Sequence, residues 1–503
     1  MQTQNNTIVS TTNHPLPQSI ENLKMGSHVH LMGICGTAMA SLAGLLKDRG
    51  YQVTGSDLNP YPPMSTQLEK LGITILKPYK KENLYPRPDF VVVGNVISAS
   101  NEEAQEMVKL GLPFCSLPQA MGDLIIANKN SFVVSGTHGK TTTTSLLSWV
   151  ADQCDLKPGF LIGGIPKNFS LSFRNPLAQT FIIEGDEYDT AYFDKVPKFI
   201  HYKPKNVILT SVEFDHADIY PDFEAVKAAF RRLVKLIPQD GSLIYWGDDL
   251  NVSAIAETCS IEKKYSYGFQ GQVDFKPVIL EEQQGLTQFE MYFQNQKIAT
   301  FKMQLTGRYN VLNATAVVAQ AYIQKWDMKK AQEALLSFTG VKRRQEILGE
   351  PGGVLLIEDF AHHPTAVKET IEAIQAKYKG RKVFSVFEPR SATSRRKVFQ
   401  KDYVEAFKAA DEIILAQAFD QGKISEENRF SVDELVVDLK KIGKSVVVFE
   451  NADLIVADLT QRTKKGDVVL IMSNGGFDGI YTKLTQSLNL RQAHELNKPT
   501  NTK

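Results

Sequence analysis

The chain has 503 residues, 43% of them hydrophobic and 22% charged, and its 57 Lys+Arg nearly cancel 56 Asp+Glu to leave a formal net charge of +1. At roughly 150 residues per domain this length predicts three domains, each long enough to bury a core, and the composition lies far from that of a disordered chain. So balanced a charge gives no global field for gripping nucleic acid or an anionic membrane, so any polyanionic ligand must be held by local groups.

Residues 1–24 are polar and contain no apolar signal stretch, and read as a disordered leader. The first domain is expected over 25–128. HVHLMGI at 28–34 reads as a strand feeding a helix near Thr37 to Arg49, with further strands in YQVTGS at 51–56 and DFVVVGN at 89–95, and a charged helix from Asn101 to Leu110. Strands alternating with helices imply a parallel sheet covered on its faces, a Rossmann-like layout. Its first turn reads Gly33-Ile34-Cys35-Gly36-Thr37-Ala38-Met39, with Asp57 further on. This resembles a dinucleotide fingerprint only superficially, because G-x-x-G is not G-x-G-x-x-G, and tight helix–strand packing explains the glycines equally well.

A central domain is expected over 129–340, with strands in SFVVS at 131–135, FIIE at 181–184 and NVILTS at 206–211. Between about 273 and 305 the pattern becomes two-residue, as in FEMYF and IATFKMQL, and predicts an antiparallel hairpin region added to a P-loop ATPase-like α/β core; helices from Asn310 and from Met328 close the domain. The third domain, 341–490, is again Rossmann-like, with strands in VLLIE, KVFSVF, EIILA, SVVVF and VVLIM, and a polar tail follows at 491–503. The fold class is thus α/β, as three consecutive α/β domains. Cys35, Cys115, Cys154 and Cys259 lie too far apart to form a close ligand pair and read as buried free thiols; with no run of about 18 apolar residues, a soluble cytoplasmic protein is expected.

The most specific motif is Ser135-Gly136-Thr137-His138-Gly139-Lys140-Thr141-Thr142. A strand feeds a Gly-rich turn that opens a helix. Turn amides and the positive helix end cradle phosphates, Lys140 neutralises the β/γ charge, and the Thr141 hydroxyl suits Mg²⁺; this reads as an ATP site. Glu184, in Glu184-Gly185-Asp186-Glu187, ends a strand near that loop, where a hard cation would find oxygen ligands, although acidic loops are usually only solvated. His216, in Glu213-Phe214-Asp215-His216, also follows a strand, and a lone histidine is more often structural. Asn310 and Asn313 are spaced i, i+3 on one helical face, which suits either an adenine edge or helix capping.

The shortened loop GTHGKTTT resembles that of the Mur ligases, ATP-dependent amide-bond-forming enzymes of bacterial cell-wall synthesis, and further elements follow in that family's order from about residue 28 to 490. The resemblance implies ATP and Mg²⁺ as cofactors, with Lys140, Glu184 and His216 as catalytic groups and Thr141, Glu184 and His216 as metal ligands. For ATP it implies Gly136, Thr137, His138, Gly139, Lys140, Thr141 and Thr142 in the loop. The family's HNxxN element contributes Asn310 and Asn313, with Tyr309 in place of the usual His. Arg343 and Arg344 match an RRxE element at the predicted domain junction, and Asp359 and His363 match D-[YF]-[GA]-HHP. The position where some members carry a carbamylated lysine reads Phe230-Arg231-Arg232, so that modification is not expected.

For the substrates, the resemblance favours a UDP-sugar over NAD at Gly33, Gly36, Thr37, Asp57 and Asn95, together with Ser172 and Arg174, where Phe173 stands in place of an expected small residue. Arg390, in Glu388-Pro389-Arg390-Ser391, is the candidate for a peptide carboxylate, since guanidinium pairs bidentately; a surface Arg is the alternative. Segments 61–66, 158–164 and 187–195 look like the branch that joins UDP-N-acetylmuramate to the tripeptide L-alanyl-γ-D-glutamyl-meso-diaminopimelate, and less like the branch that adds L-alanine. A non-catalytic nucleotide sensor is the rival from another class.

Overall fold

The computed structural model describes residues 17–60, 64–169, 171–283, 285–422 and 424–496. Tyr61, Pro62 and Pro63 of the segment 61–66 lie outside the described residues, as do residues 1–16 of the leader and 497–503 of the tail.

The first sheet has five parallel strands in the order Thr74–Leu76, Gln52–Ser56, His28–Met32, Phe90–Val93, Phe114–Ser116. Its central strands are apolar runs because both faces are covered by helices. The exception is His30, fully buried, whose Nε2 lies 2.6 Å from Glu103 Oε1 and whose Nδ1 lies 2.8 Å from Thr54 Oγ1. Ser56 and Asn83 donate to the same carboxylate at 2.8 and 3.0 Å, so its two oxygens are partnered without water. The expected leader is packed from Pro17 onward: Gln18 N–H donates to Phe114 O and Ile20 is 1% exposed. Ile20 and Leu23 in a polar stretch were its signal.

The central sheet has ten strands in the order Gln296–Met303, Leu286–Phe293, Phe275–Gln283, Lys264–Tyr267, Ser242–Trp246, Asn206–Leu209, Asn130–Ser135, Thr180–Gly185, Gly159–Leu161, Phe173–Arg174. The expected hairpin is a three-stranded antiparallel meander, and it continues the parallel sheet through the pairing of Tyr267 with Phe275. The C-terminal sheet has six strands in the order Glu346–Gly349, Leu355–Asp359, Val468–Met472, Val383–Phe387, Glu412–Ala416, Ser445–Phe449, parallel except for the first. Helix Ile480–Leu496 crosses the expected start of the tail at 491. No helix among the described residues is long and apolar enough to cross a membrane.

The first two sheets do not have separate cores. One apolar cluster runs from Ile20, Val29 and Leu42 to Phe173, Phe199 and Phe230, and the Phe173 ring lies directly on Gly44 of helix Thr37–Asp48. The C-terminal sheet is covered by two clusters of its own. The first two domains are therefore welded, whereas the third shares no such cluster with them among the described residues and meets them around one cleft through polar contacts and the Phe214–Phe399 ring pair. That cleft lies at the carboxyl ends of the central and C-terminal parallel strands, where open α/β sheets place their ligands.

Candidate active site

Strand Asn130–Ser135 ends at Gly136, whose φ of +137° and close approach to Thr210 allow no side chain: a Cβ would stand 2.2 Å from Thr210 Oγ1. Gly139, at φ +80°, caps helix Lys140–Gln153, and a Cβ there would meet Asn313 Oδ1 at 2.6 Å. No side chain caps this helix, so its first-turn N–H groups are available to an anion. The loop amides behave differently. Thr137 N–H donates to Ser211 O at 2.7 Å and His138 N–H to Ser211 Oγ at 3.0 Å, which leaves the cradle to the helix end itself.

Lys140 folds back in this state. Its Nζ donates to Gly136 O at 2.5 Å and to Glu187 Oε2 at 2.9 Å. Burial opposes the charge, but Glu187 and Asp186 outweigh it and hold the lysine pKa above its usual value. Glu187 is 2% exposed and also faces His216, Nε2 to Oε1 3.3 Å. His216 has φ +53°, and its N–H donates to Asp215 Oδ1 at 2.7 Å. Glu187 appeared in the sequence only as one acid among several; its position opposite Lys140 distinguishes it.

Glu184 accepts from Thr141 Oγ1 at 3.2 Å and from Gly163 N–H at 2.6 Å. Burial, reinforced by the neighbouring Asp186 charge, pushes its carboxyl up to about 7. Asp186 itself is held below the usual carboxylate range against its burial, by Lys198 at 3.0 Å and by Lys140. The Thr141 hydroxyl and Glu184 carboxylate thus converge at the helix start, a hard-oxygen pair that fits a Mg²⁺ ion beside a phosphate. His216 lines the same cavity and stands with Glu187.

The RRxE arginines divide. Arg343 Nε donates to Glu358 Oε1 at 2.6 Å, and its Nη2 donates to Ser473 O and Gly475 O at 3.0 and 2.6 Å. With these donors engaged it ties the junction to the C-terminal sheet and offers little to phosphate, contrary to the expectation. Arg344 reaches the loop instead: Nη2 donates to Thr141 Oγ1 at 3.3 Å, and its guanidinium lies 4.7 Å from the Phe360 ring centre. Asp359 accepts from Gln345 and Ala361 N–H, both at 2.7 Å. Asn310 donates to Thr306 O at 2.8 Å, just before its own helix Arg308–Ile323, and Asn313 donates to Asn310 in turn at 3.4 Å while sitting over Gly139. Asn313 is the amide that faces the loop.

Most of these groups, though not Gly136 or Glu187, line one cavity of about 930 Å³, whose wall also takes Gly36, Thr37, Met64 and Asn95 from the first domain and Ser391, Thr393 and Asn474 from the third. Six expected residues are not among its lining, Gly136 at the loop's start being one of them. Gly33 turns under Val96, and Asp57 accepts Cys35 N–H at 2.9 Å, so both shape the turn. Ser172 is buried with its Oγ 2.8 Å from Ser41 Oγ. Arg174 pairs with Asp152 at 2.7 Å and lies over the Phe160 and Phe169 rings. Arg390 lies 3.7 Å from the Phe419 ring centre with Nη1 3.3 Å from Glu388 Oε1, outside the cavity lining.

The sequence matches three family descriptions in succession: "Mur ligase family, catalytic domain" over 28–129, "Mur ligase middle domain" over 134–321 and "Mur ligase, glutamate ligase domain" over 343–475. It is 38% identical over 463 residues to the UDP-N-acetylmuramate–L-alanyl-γ-D-glutamyl-meso-2,6-diaminoheptandioate ligase of Escherichia coli K12, covering 92% of this chain and 98% of the relative. It is 31% identical over 456 residues to the UDP-N-acetylmuramate–L-alanine ligase of Carboxydothermus hydrogenoformans, covering 91% and 96%. Among solved structures, a murein peptide ligase from Psychrobacter arcticus superposes with a TM-score of 0.71 at 33% identity, over 92% of this chain and 99% of that one. The UDP-N-acetylmuramate–alanine ligase of Thermotoga maritima superposes with a TM-score of 0.76 at 21% identity, over 92% and 98%, and shares the fold.

Proposed function

The chain belongs to the Mur ligase family, and from that premise we propose that it joins UDP-N-acetylmuramate to the tripeptide L-alanyl-γ-D-glutamyl-meso-diaminopimelate in peptidoglycan recycling, converting ATP to ADP and phosphate. The observation that supports it most is the meeting of Lys140, Thr141, Glu184 and Arg344 in one cavity that all three domains line.

In this reading the domain at 25–128 takes the UDP-sugar, that at 129–340 takes ATP and that at 341–490 takes the peptide. The muramyl carboxylate attacks the γ-phosphorus of ATP to give an acyl phosphate, and the peptide amine then displaces phosphate from it. Lys140 exchanges Glu187 for phosphate oxygens, the helix amides hold the same group, and Arg344 approaches from the third domain, so charge is met where it develops. Thr141 and Glu184 would hold Mg²⁺, with His216 and Glu187 beside them; bound there, the ion supplies charge neutralisation and fixes the phosphate oxygens. Gly36, Thr37 and Asn95 face the UDP-sugar. Asn313 faces the adenine, and Asp359 and His363 the nucleotide. Arg390 stands ready for a peptide carboxylate near Asn474, whose Oδ1 is buried without a partner. ATP and a UDP-sugar are cytoplasmic metabolites, which favours a cytoplasmic setting.

The test is product analysis. Incubation with ATP, Mg²⁺, UDP-N-acetylmuramate and tripeptide should give ADP, phosphate and UDP-N-acetylmuramyl-tripeptide in equal amounts; ATP consumption without that conjugate removes the reading.

A further inference from the structure

A second cluster joins the central and C-terminal domains beside the loop: His138 of the loop, Glu213 in the turn after strand Asn206–Leu209, and His363 at the N-cap of helix Pro364–Lys377. One ligand atom from each lies within 4.8 Å of the others. His138 Nε2 stands 3.4 Å, and His363 Nδ1 3.5 Å, from the same oxygen, Glu213 Oε2. Metal bonds of about 2.0–2.1 Å in tetrahedral geometry place ligand atoms about 3.3–3.4 Å apart, whereas a hydrogen bond would draw N and O to about 2.9 Å. His138 Nε2 is buried without a hydrogen-bond partner.

The groups that hold these side chains have the matching form. His363 Nε2 lies 3.2 Å from Phe214 O and donates to it, which turns the Nδ1 lone pair toward Glu213, the tautomer that metal-bound imidazoles carry. Thr365 Oγ1 donates to Glu213 Oε2 at 2.6 Å and fixes that carboxylate. An ion would replace only the 3.3 Å contact from Thr365 N–H to Nδ1.

We propose that His138, Glu213 and His363 form a site for a borderline-soft divalent ion of the Zn²⁺ type, separate from the oxygen pair of Thr141 and Glu184. Two imidazoles and one carboxylate suit zinc, while Mg²⁺ takes oxygens, and three protein ligands leave a fourth position for water or a ligand. An ion there holds the phosphate loop against the C-terminal domain.

Titration of the untagged, metal-free full chain with ZnCl₂ in the absence of nucleotide tests this by calorimetry, with Co²⁺ as a spectroscopic probe. The expected result is one equivalent bound, visible bands of a four-coordinate Co²⁺ site, no displacement by excess Mg²⁺, and affinity weakened at least about tenfold in Glu213→Gln and in His363→Ala. Melting of the metal-free variants checks that they fold. Crystals of the wild type soaked in ZnCl₂ should show an anomalous peak bonded to all three side chains. No stoichiometric Zn²⁺ binding, retention of wild-type affinity by both variants, or a peak elsewhere would overturn the site.

Discussion

Lys140 and Glu187 form a buried ion pair inside the phosphate loop, Nζ to Oε2 2.9 Å, with side chains 13% and 2% exposed. The pair holds in place the ammonium to which the proposed reaction gives a catalytic role, and it makes Lys140 a stability determinant as well. Lys140→Ala should lower ADP formation by about a thousandfold and also destabilise the protein by about 2–3 kcal/mol, because Glu187 keeps only His216 as a charged partner. Adding Glu187→Gln should restore the denaturation midpoint without restoring turnover. Equal loss of both in the double variant would mean that the pair has no separate structural role.

Glu184 and Thr141 converge on one point, so they should control the metal requirement together. Glu184→Ala should raise the Mg²⁺ concentration for half-maximal rate at least about tenfold. An unchanged Mg²⁺ titration would remove Glu184 as a ligand.

Arg343 and Arg344 are adjacent in sequence and opposite in use. Arg344→Ala should raise KM for ATP at least about tenfold with little change in melting temperature, since its guanidinium reaches the loop hydroxyl. Arg343→Ala should do the reverse and destabilise the C-terminal sheet, which loses the clamp between Glu358 and the Ser473 and Gly475 carbonyls. Steady-state kinetics beside thermal melts distinguish the two.

Burial, together with the nearby Glu213 charge, pushes the Glu369 carboxyl in the cavity wall up to about 7, although His138 draws it the other way. An acid whose folded pKa is raised binds its proton more tightly in the folded chain, so stability falls as pH rises from about 4.5 to about 7 and stays lower above. Glu369→Gln should remove that dependence and stabilise the protein at pH 8 by about 1–2 kcal/mol after allowance for partial exposure. Denaturant midpoints at pH 5 and pH 8 measure it; a variant with the wild-type slope refutes the assignment.

Arg174 is held by Asp152 and two phenylalanine rings rather than facing a substrate. Arg174→Ala should therefore leave KM for the UDP-sugar within about twofold while lowering stability by about 1 kcal/mol. A large KM change with unaltered stability would return it to the substrate site.

The strands and the loop were legible because their signals are local: an apolar run, then GTHGK, then a helix. Short strands such as Thr74–Leu76 and Gly159–Leu161 gave no periodicity, and the meander looked like a hairpin because its pairing with Lys264–Tyr267 is not written in either segment. Site residues were legible as positions and not as directions. Arg343 and Arg344 share one motif, yet the positive φ of Arg343 helps send them opposite ways. Gly33, Asp57 and Ser172 are near the site in sequence terms, but backbone and domain-packing bonds engage the latter two. The His138, Glu213 and His363 cluster draws on three distant segments, so only the folded chain brings it together.

Phosphate release from ATP and UDP-N-acetylmuramate, with tripeptide and L-alanine offered separately, tests the proposed ligation most directly. Release that depends on the tripeptide, with L-alanine giving little, is the predicted result. Release with L-alanine and none with the tripeptide, or none with either amine, would contradict it.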